Sequence, residues 1–159
     1  MIATKIASES PEQPDIIKLL AASDHYHAEL YPQESNHLVD VAGLLGGNVC
    51  FLVARTADGT AVGCGGILFS DDGGVLTAEL KRMWIDPSAR GLGLGRRLLA
   101  ALEAAALGEG ATLVRLETGT RQPEAHKLYR AAGYTERGPF GTYVADPLSV
   151  FMEKPVMKS

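Results

Sequence analysis

The 159-residue chain is short of several things that would point to particular functions. It has two cysteines, Cys50 and Cys64. Both lie in apolar runs, too few for a disulfide framework, and they read as small buried hydrophobes in a reducing compartment. No stretch approaches the ~18 uninterrupted apolar residues of a membrane-spanning helix. Met1 to Ser10 carries one lysine and no apolar block, which does not read as a signal peptide, so the cytoplasm is the expected location. Positive charge is not in excess either. The formal net charge is −4, which offers no field to gather nucleic acid or an anionic membrane. Metal-ligating clusters are also missing. His25 and His27 are two apart and do not share a helix face, and no Cys/Asp/His grouping supports them, so no metal is expected.

What is present reads as one α/β domain over residues 1–159. Hydrophobic residues make up 46% and charged residues 21%, as in ordinary folded domains, and no repeat or linker divides the chain. A first strand is expected over Met1 to Ala7. Ser10-Pro11-Glu12-Gln13 reads as a capped helix start, and a second short helix is expected from Ser35 or Asn36 to Leu45. Val49 to Thr56, Ala61 to Phe69 and Val75 to Ile85 read as strands, joined by turns at Asp58-Gly59 and Asp71 to Gly74. The period then changes. Leu94, Leu98, Leu99, Leu102 and Ala105 mark a helix from about Gly93 to Leu107. A strand over Ala111 to Thr118, a helix over Gln122 to Ala132, and strands over Tyr134 to Phe140 and Leu148 to Lys154 complete the order.

Between a strand and a helix lies Arg90-Gly91-Leu92-Gly93-Leu94-Gly95-Arg96-Arg97. The first amides of a helix have no intrahelical partner and carry partial positive charge. Glycines let a phosphate approach them, and arginine adds charge and a fork of donors. The turn is either a phosphate site or a glycine-rich helix start with no ligand. The G-x-x-x-x-G-K-[ST] spacing is not met, and neither is G-x-G-x-x-G, because Arg96 and Leu98 occupy the sixth positions. R-x-x-G-x-G is met, at Arg90, Gly93 and Gly95.

That spacing resembles the pyrophosphate motif of the GNAT (GCN5-related) N-acetyltransferases. The resemblance extends through Ala78 to Pro87, similar to the family's fourth strand, and Leu116-Glu117-Thr118, similar to its fifth. It continues in Gln122 to Tyr134, which looks like N-x-x-A-x-x-L-Y-x-x-x-G-[FY], and in the closing Ser149 to Lys154. It is dense from Val75 to Lys154, and the earlier half matches only by order of elements. Gln122 stands where asparagine is usual.

The resemblance implies a single-domain fold: a mixed, mostly antiparallel sheet, helices on both faces, and splayed central strands. It implies acetyl-CoA as cosubstrate and a primary amine as acceptor, either a small molecule or a protein or peptide, with direct attack in a ternary complex. A homodimer is compatible with the family. Met83, Trp84 and Ile85 are expected to hold the pantetheine arm by their backbone, with the Met83 amide polarising the acyl carbonyl. Arg90, Gly91, Leu92, Gly93, Leu94, Gly95, Arg96 and Gln122 complete the implied cofactor set. Glu79 is read as the general base, or else as a strand glutamate paired with Lys81 or Arg82. Tyr129 is read as the acid facing the sulfur, or else as a core aromatic. Tyr31, Glu34, His37 and Tyr143, with Phe140, are acceptor-side candidates. The competing readings are an acyl-CoA sensor without turnover and an unrelated phosphate-binding domain.

Overall fold

The computed structural model describes residues 4–35 and 38–157. Seven strands form one sheet in the order β1-β2-β3-β4-β5-β7-β6. They are β1 (Thr4–Ser8), β2 (Val49–Thr56), β3 (Ala61–Asp72), β4 (Val75–Ile85), β5 (Leu113–Gly119), β6 (Thr135–Arg137) and β7 (Ser149–Pro155). All neighbours pair antiparallel except β4 and β5, which run parallel. The helices are α1 (Pro14–Leu30), α2 (Val41–Leu44), α3 (Leu94–Gly108) and α4 (Pro123–Ala131).

Side-chain period decides the layers. On α3, Leu98, Leu99, Leu102 and Ala106 form an apolar stripe at helical spacing and pack on Ile67, Ala78, Leu80, Val114, Leu116 and Met152. The three α3 leucines, Leu98, Leu99 and Leu102, are each at most 1% exposed, and burying such a side chain is worth about 1.5–3 kcal/mol. On the opposite face, Ile16, Leu19 and Leu20 of α1 and Leu44 of α2 cover Phe51, Val53, Cys64 and Trp84. Helices thus cover both faces of a mixed sheet, as expected. The β3–β4 hairpin closes on Gly73 and Gly74, both at positive φ (62° and 89°), as a two-residue turn of this hand requires.

Local boundaries differ from the sequence expectation in three places. Helix α1 begins at Pro14, and its N-cap is Gln13 without a side-chain cap. Ser10 instead turns the chain by accepting from the Glu12 amide, and the Gln13 amide group reaches back to Glu9 and Ser10. The expected second helix shrinks to α2, because Asp40, not Ser35, caps it by accepting from the Gly43 amide. Strand β6 is three residues long, and the chain from 138 to 148 then runs back to β7.

Candidate active site

The site lies where β4 and β5 part. These strands pair only through Thr77, Ala78 and Glu79 against Leu113, Val114 and Arg115. Beyond Glu79, β4 keeps β3 on one side, with Trp84 opposite Cys64 and Ile85 opposite Gly63, while its other edge is open toward the gap. A bulge sits within this open stretch. Two residues, Arg82 and Met83, oppose the single Gly65. The extra residue reverses the alternation. Leu80 packs toward α3 before the bulge, and Met83 and Ile85 pack toward it afterwards, leaving Trp84 toward α1.

Two clefts meet in the gap. The first, about 330 Å³, is lined by Met83, Trp84 and Ile85, by Arg90, Gly91, Gly93, Leu94 and Gly95, and by α4 through Ala125, Leu128 and Tyr129. Its floor is the start of α3. Gly91 and Gly93 have φ of 82° and 78°, a conformation that side chains with a Cβ disfavour, and a Cβ at Gly93 would meet nothing within 4 Å. Gly93 is the N-cap and supplies no side chain. The first intrahelical bond runs from the Arg97 amide to the Gly93 carbonyl, so the amides of Leu94, Gly95 and Arg96 lie ahead of it as donors. Arg90 stacks over the Trp84 ring at 4.8 Å and anchors its Nε on the Ile85 carbonyl at 3.0 Å. The Trp84 Nε1 is buried without a hydrogen-bond partner among the described residues.

The second cavity, about 80 Å³, is lined by Ser23 and His27 of α1 and its C-cap Tyr31, by Lys81, Arg82 and Met83 of β4, and by Glu117, Thr118 and Gly119 of β5. Met83, Gln122 and Tyr129 line both spaces. Tyr129 is 8% exposed, and burial first, then the charge of Glu117, pushes its hydroxyl up to about 12. It therefore stays protonated at neutral pH. Glu117 accepts from the Ser149 hydroxyl at 2.8 Å. Burial lowers the His27 pKa. Its Nδ1 lies 2.8 Å from the Ser23 carbonyl, which requires the proton on Nδ1 and leaves the Nε2 lone pair facing the Gln122 amide at 3.5 Å.

The expected residues separate into groups. Met83, Trp84, Ile85, Arg90, Gly91, Gly93, Leu94, Gly95, Gln122 and Tyr129 surround the larger cleft. Leu92 and Arg96 are exposed on the turn and do not line it; Leu92 is 51% exposed. Gln122 is occupied as a strut. Its Oε1 accepts from the Tyr31 hydroxyl at 3.2 Å and the Gly119 amide at 3.3 Å. Tyr31 lies so close over Gly119 that a Cβ there would be 1.8 Å from the hydroxyl oxygen. Glu79 lines neither cleft. Its Oε2 accepts from the Tyr143 hydroxyl at 2.5 Å and pairs with Lys81 Nζ at 3.0 Å, which matches the salt-bridge alternative with Lys81. Tyr143 belongs to this cluster, where burial first and then Glu79 raise its pKa. Phe140 packs on Phe151 and beneath Arg115. Glu34 is exposed beside the cavity residue Ser35, and His37 lies outside the described residues. Glu117 and His27 were not singled out for this site by sequence. The signal for Glu117 was its parity on β5, opposite to that of buried Val114 and Leu116.

These features suit an acyl-CoA: uncapped amides for a diphosphate, an open strand edge for an amide-bearing arm, and a buried hydroxyl donor at the junction. Comparison with known proteins agrees. A profile of the acetyltransferase (GNAT) family matches residues 14–134. IAA acetyltransferase of Azospirillum brasilense is 48% identical over 151 residues, covering 95% of this chain and 97% of the relative. The crystal structure of a protein assigned as an acyl-CoA N-acyltransferase from Klebsiella pneumoniae has a TM-score of 0.81 at 40% identity, covering 97% of this chain and 98% of that one. A PaiA N-acetyltransferase from Thermoplasma acidophilum, solved with coenzyme A, shares the fold at a TM-score of 0.72 and 19% identity, covering 97% of this chain and 99% of that one. The chain belongs to the GNAT acetyltransferase family and is an acyl-CoA N-acyltransferase.

Proposed function

We propose that the protein transfers an acetyl group from acetyl-CoA to a primary amine, with the acyl donor in the larger cleft and the amine in the smaller cavity. The observation that carries this reading is the junction: Met83 and Tyr129 are walls of both spaces, so a thioester and an amine admitted from opposite sides meet between them. The name of the Azospirillum relative favours acetyl as the group moved. The 80 Å³ of the acceptor cavity favours a small amine, or the end of a slender one.

The parts follow from chemistry. An alkyl amine has a pKa near 10.4 and must lose a proton before it attacks. Glu117 is the carboxylate within the acceptor cavity and takes that proton, directly or through water. Glu79, held by Tyr143 and Lys81, supports the cavity wall instead of serving as base. The Met83 amide, on the open edge of β4, donates to the acyl oxygen. Tyr129 donates its hydroxyl to the departing sulfur. Burial holds that hydroxyl up at about 12, so it stabilises the departing thiolate by hydrogen bonding while keeping its own proton, and the second N–H proton of the tetrahedral adduct passes to water or to the sulfur as the C–S bond breaks. The amides at the start of α3, with Arg90, hold the diphosphate.

Incubation of the protein with acetyl-CoA and a panel of small primary amines tests this. Saturable thiol release matched by N-acetylated product in the mass spectrum is expected. Tight coenzyme A binding without release above hydrolysis across the panel would contradict turnover and favour a sensor.

A further inference from the structure

Arg82 is the single non-glycine residue with positive φ among the described residues, at 56°. It is one of the two bulge residues opposite Gly65, so the strained backbone and the reversal of side-chain alternation on β4 are the same event. Glycine would adopt this φ without penalty. The chain has arginine there, with a side chain only 3% exposed. Its fork spans three partners outside the sheet. Nη1 donates to the Val39 carbonyl at 2.8 Å, and Nη2 donates to the Leu20 carbonyl at 3.0 Å and to Asp24 Oδ1 at 2.7 Å. The Arg82 carbonyl in turn accepts from the Cys64 thiol at 3.6 Å. Nε is buried with no partner among the described residues, so the guanidinium tolerates an unmet donor to hold these contacts.

The partners matter for what the clamp connects. Leu20 and Asp24 belong to α1, the helix that carries Ser23 and His27 into the acceptor cavity and ends on the cavity residue Tyr31 as its C-cap, and Val39 follows the cavity residue Leu38. On its other side Arg82 precedes Met83, the residue shared by both spaces. A β4 without the extra residue would turn Met83 toward α1 and Trp84 toward α3.

We propose that Arg82 is a positioning residue. Its guanidinium locks the bulge to α1 and thereby aims the Met83 amide at the acyl carbonyl, coupling the acceptor wall to the acyl site. The inference rests on the Met83 amide being the carbonyl donor. A side chain that only stabilised the core would leave the polarisation of a bound thioester untouched, so the carbonyl itself is the readout.

The test uses acetyl-CoA labelled with ¹³C at the carbonyl, bound to excess protein and observed by difference infrared spectroscopy, with coenzyme A affinity measured by calorimetry. In the wild type the carbonyl stretch is expected to fall below that of free acetyl-CoA. Arg82→Gly keeps the backbone conformation and removes the clamp. It should lose the shift and about 100-fold in turnover while coenzyme A affinity is nearly retained. Arg82→Lys keeps charge and bulk but lacks the fork, and should lose the shift as well. That variant decides the matter should Arg82→Gly fail to fold. A shift preserved in the variants while present in the wild type would overturn the role of Arg82 alone. A wild-type protein with no shift would overturn the Met83 reading and this inference with it, leaving the acetyl transfer measured by thiol release unaffected.

Discussion

Glu117 and Tyr129 line one cavity from two different elements, and the Glu117 charge adds to burial in holding the Tyr129 hydroxyl up at about 12. The carboxylate proposed as proton acceptor and a hydroxyl that keeps its proton at neutral pH therefore line one small volume in the gap between β4 and β5. Their environments differ: Glu117 accepts from the Ser149 hydroxyl of β7, whereas the Tyr129 phenol sits on the apolar face of α4, and the separate roles proposed for them rest on that difference.

The base can be assigned by paired substitutions. Glu117→Gln is expected to lower kcat by about 10²–10⁴-fold and to flatten the acid limb of the pH–rate profile. Glu79→Gln should act more mildly, through loosened Lys81 and Tyr143, and keep that limb. Steady-state kinetics over pH distinguishes them. The reverse pattern would return the base role to Glu79.

Removing the donor should separate chemistry from binding. Tyr129→Phe is expected to reduce kcat by roughly 10²–10³-fold, as for loss of one transition-state hydrogen bond, with KM for acetyl-CoA nearly constant. Calorimetry with coenzyme A checks the second half of this statement. Equal loss in binding and turnover would make Tyr129 a packing residue.

Much of this site was legible in the chain, and the reasons differ by element. The R-x-x-G-x-G turn is local: positive φ at Gly91 and Gly93 and an uncapped helix start are written into adjacent residues. The α3 stripe and the α4 face carrying Tyr129 follow from helical period. The choice between Glu79 and Glu117 is not local. It depends on where β4 and β5 cease to pair and on the bulge at Arg82, which alternation alone does not reveal. The role of Gln122 also needed tertiary structure, because its partners Tyr31 and His27 lie more than ninety positions earlier in the chain.

Gln122 offers a graded probe of that strut. Gln122→Asn shortens the side chain by one methylene and should release Tyr31 and the Gly119 amide, costing about 1–2 kcal/mol in thermal unfolding. KM for the amine should rise more than KM for acetyl-CoA. A rise confined to acetyl-CoA would show that this amide serves the cofactor.

His27 should make stability depend on pH. Burial depresses its folded pKa below the ordinary 6.5, so between the two values the unfolded chain binds the extra proton. Stability is then fully present above about pH 6.5 and declines as pH falls through that window. Denaturant titrations from pH 8 to 5 should show a shallower decline for His27→Gln than for the wild type. Parallel curves would mean His27 is not held neutral.

The most direct test of the account is coenzyme A binding to Gly93→Asp, measured by calorimetry beside the wild type. Space around the Gly93 Cβ is open, and aspartate tolerates the left-handed φ of 78° better than most residues with a Cβ, so the added carboxylate should stand against the diphosphate at the cost of some backbone strain. Affinity is expected to fall at least about tenfold, or 1.4 kcal/mol, with the fold retained by circular dichroism. Affinity equal to wild type in a folded Gly93→Asp would contradict the placement of the cofactor at the start of α3.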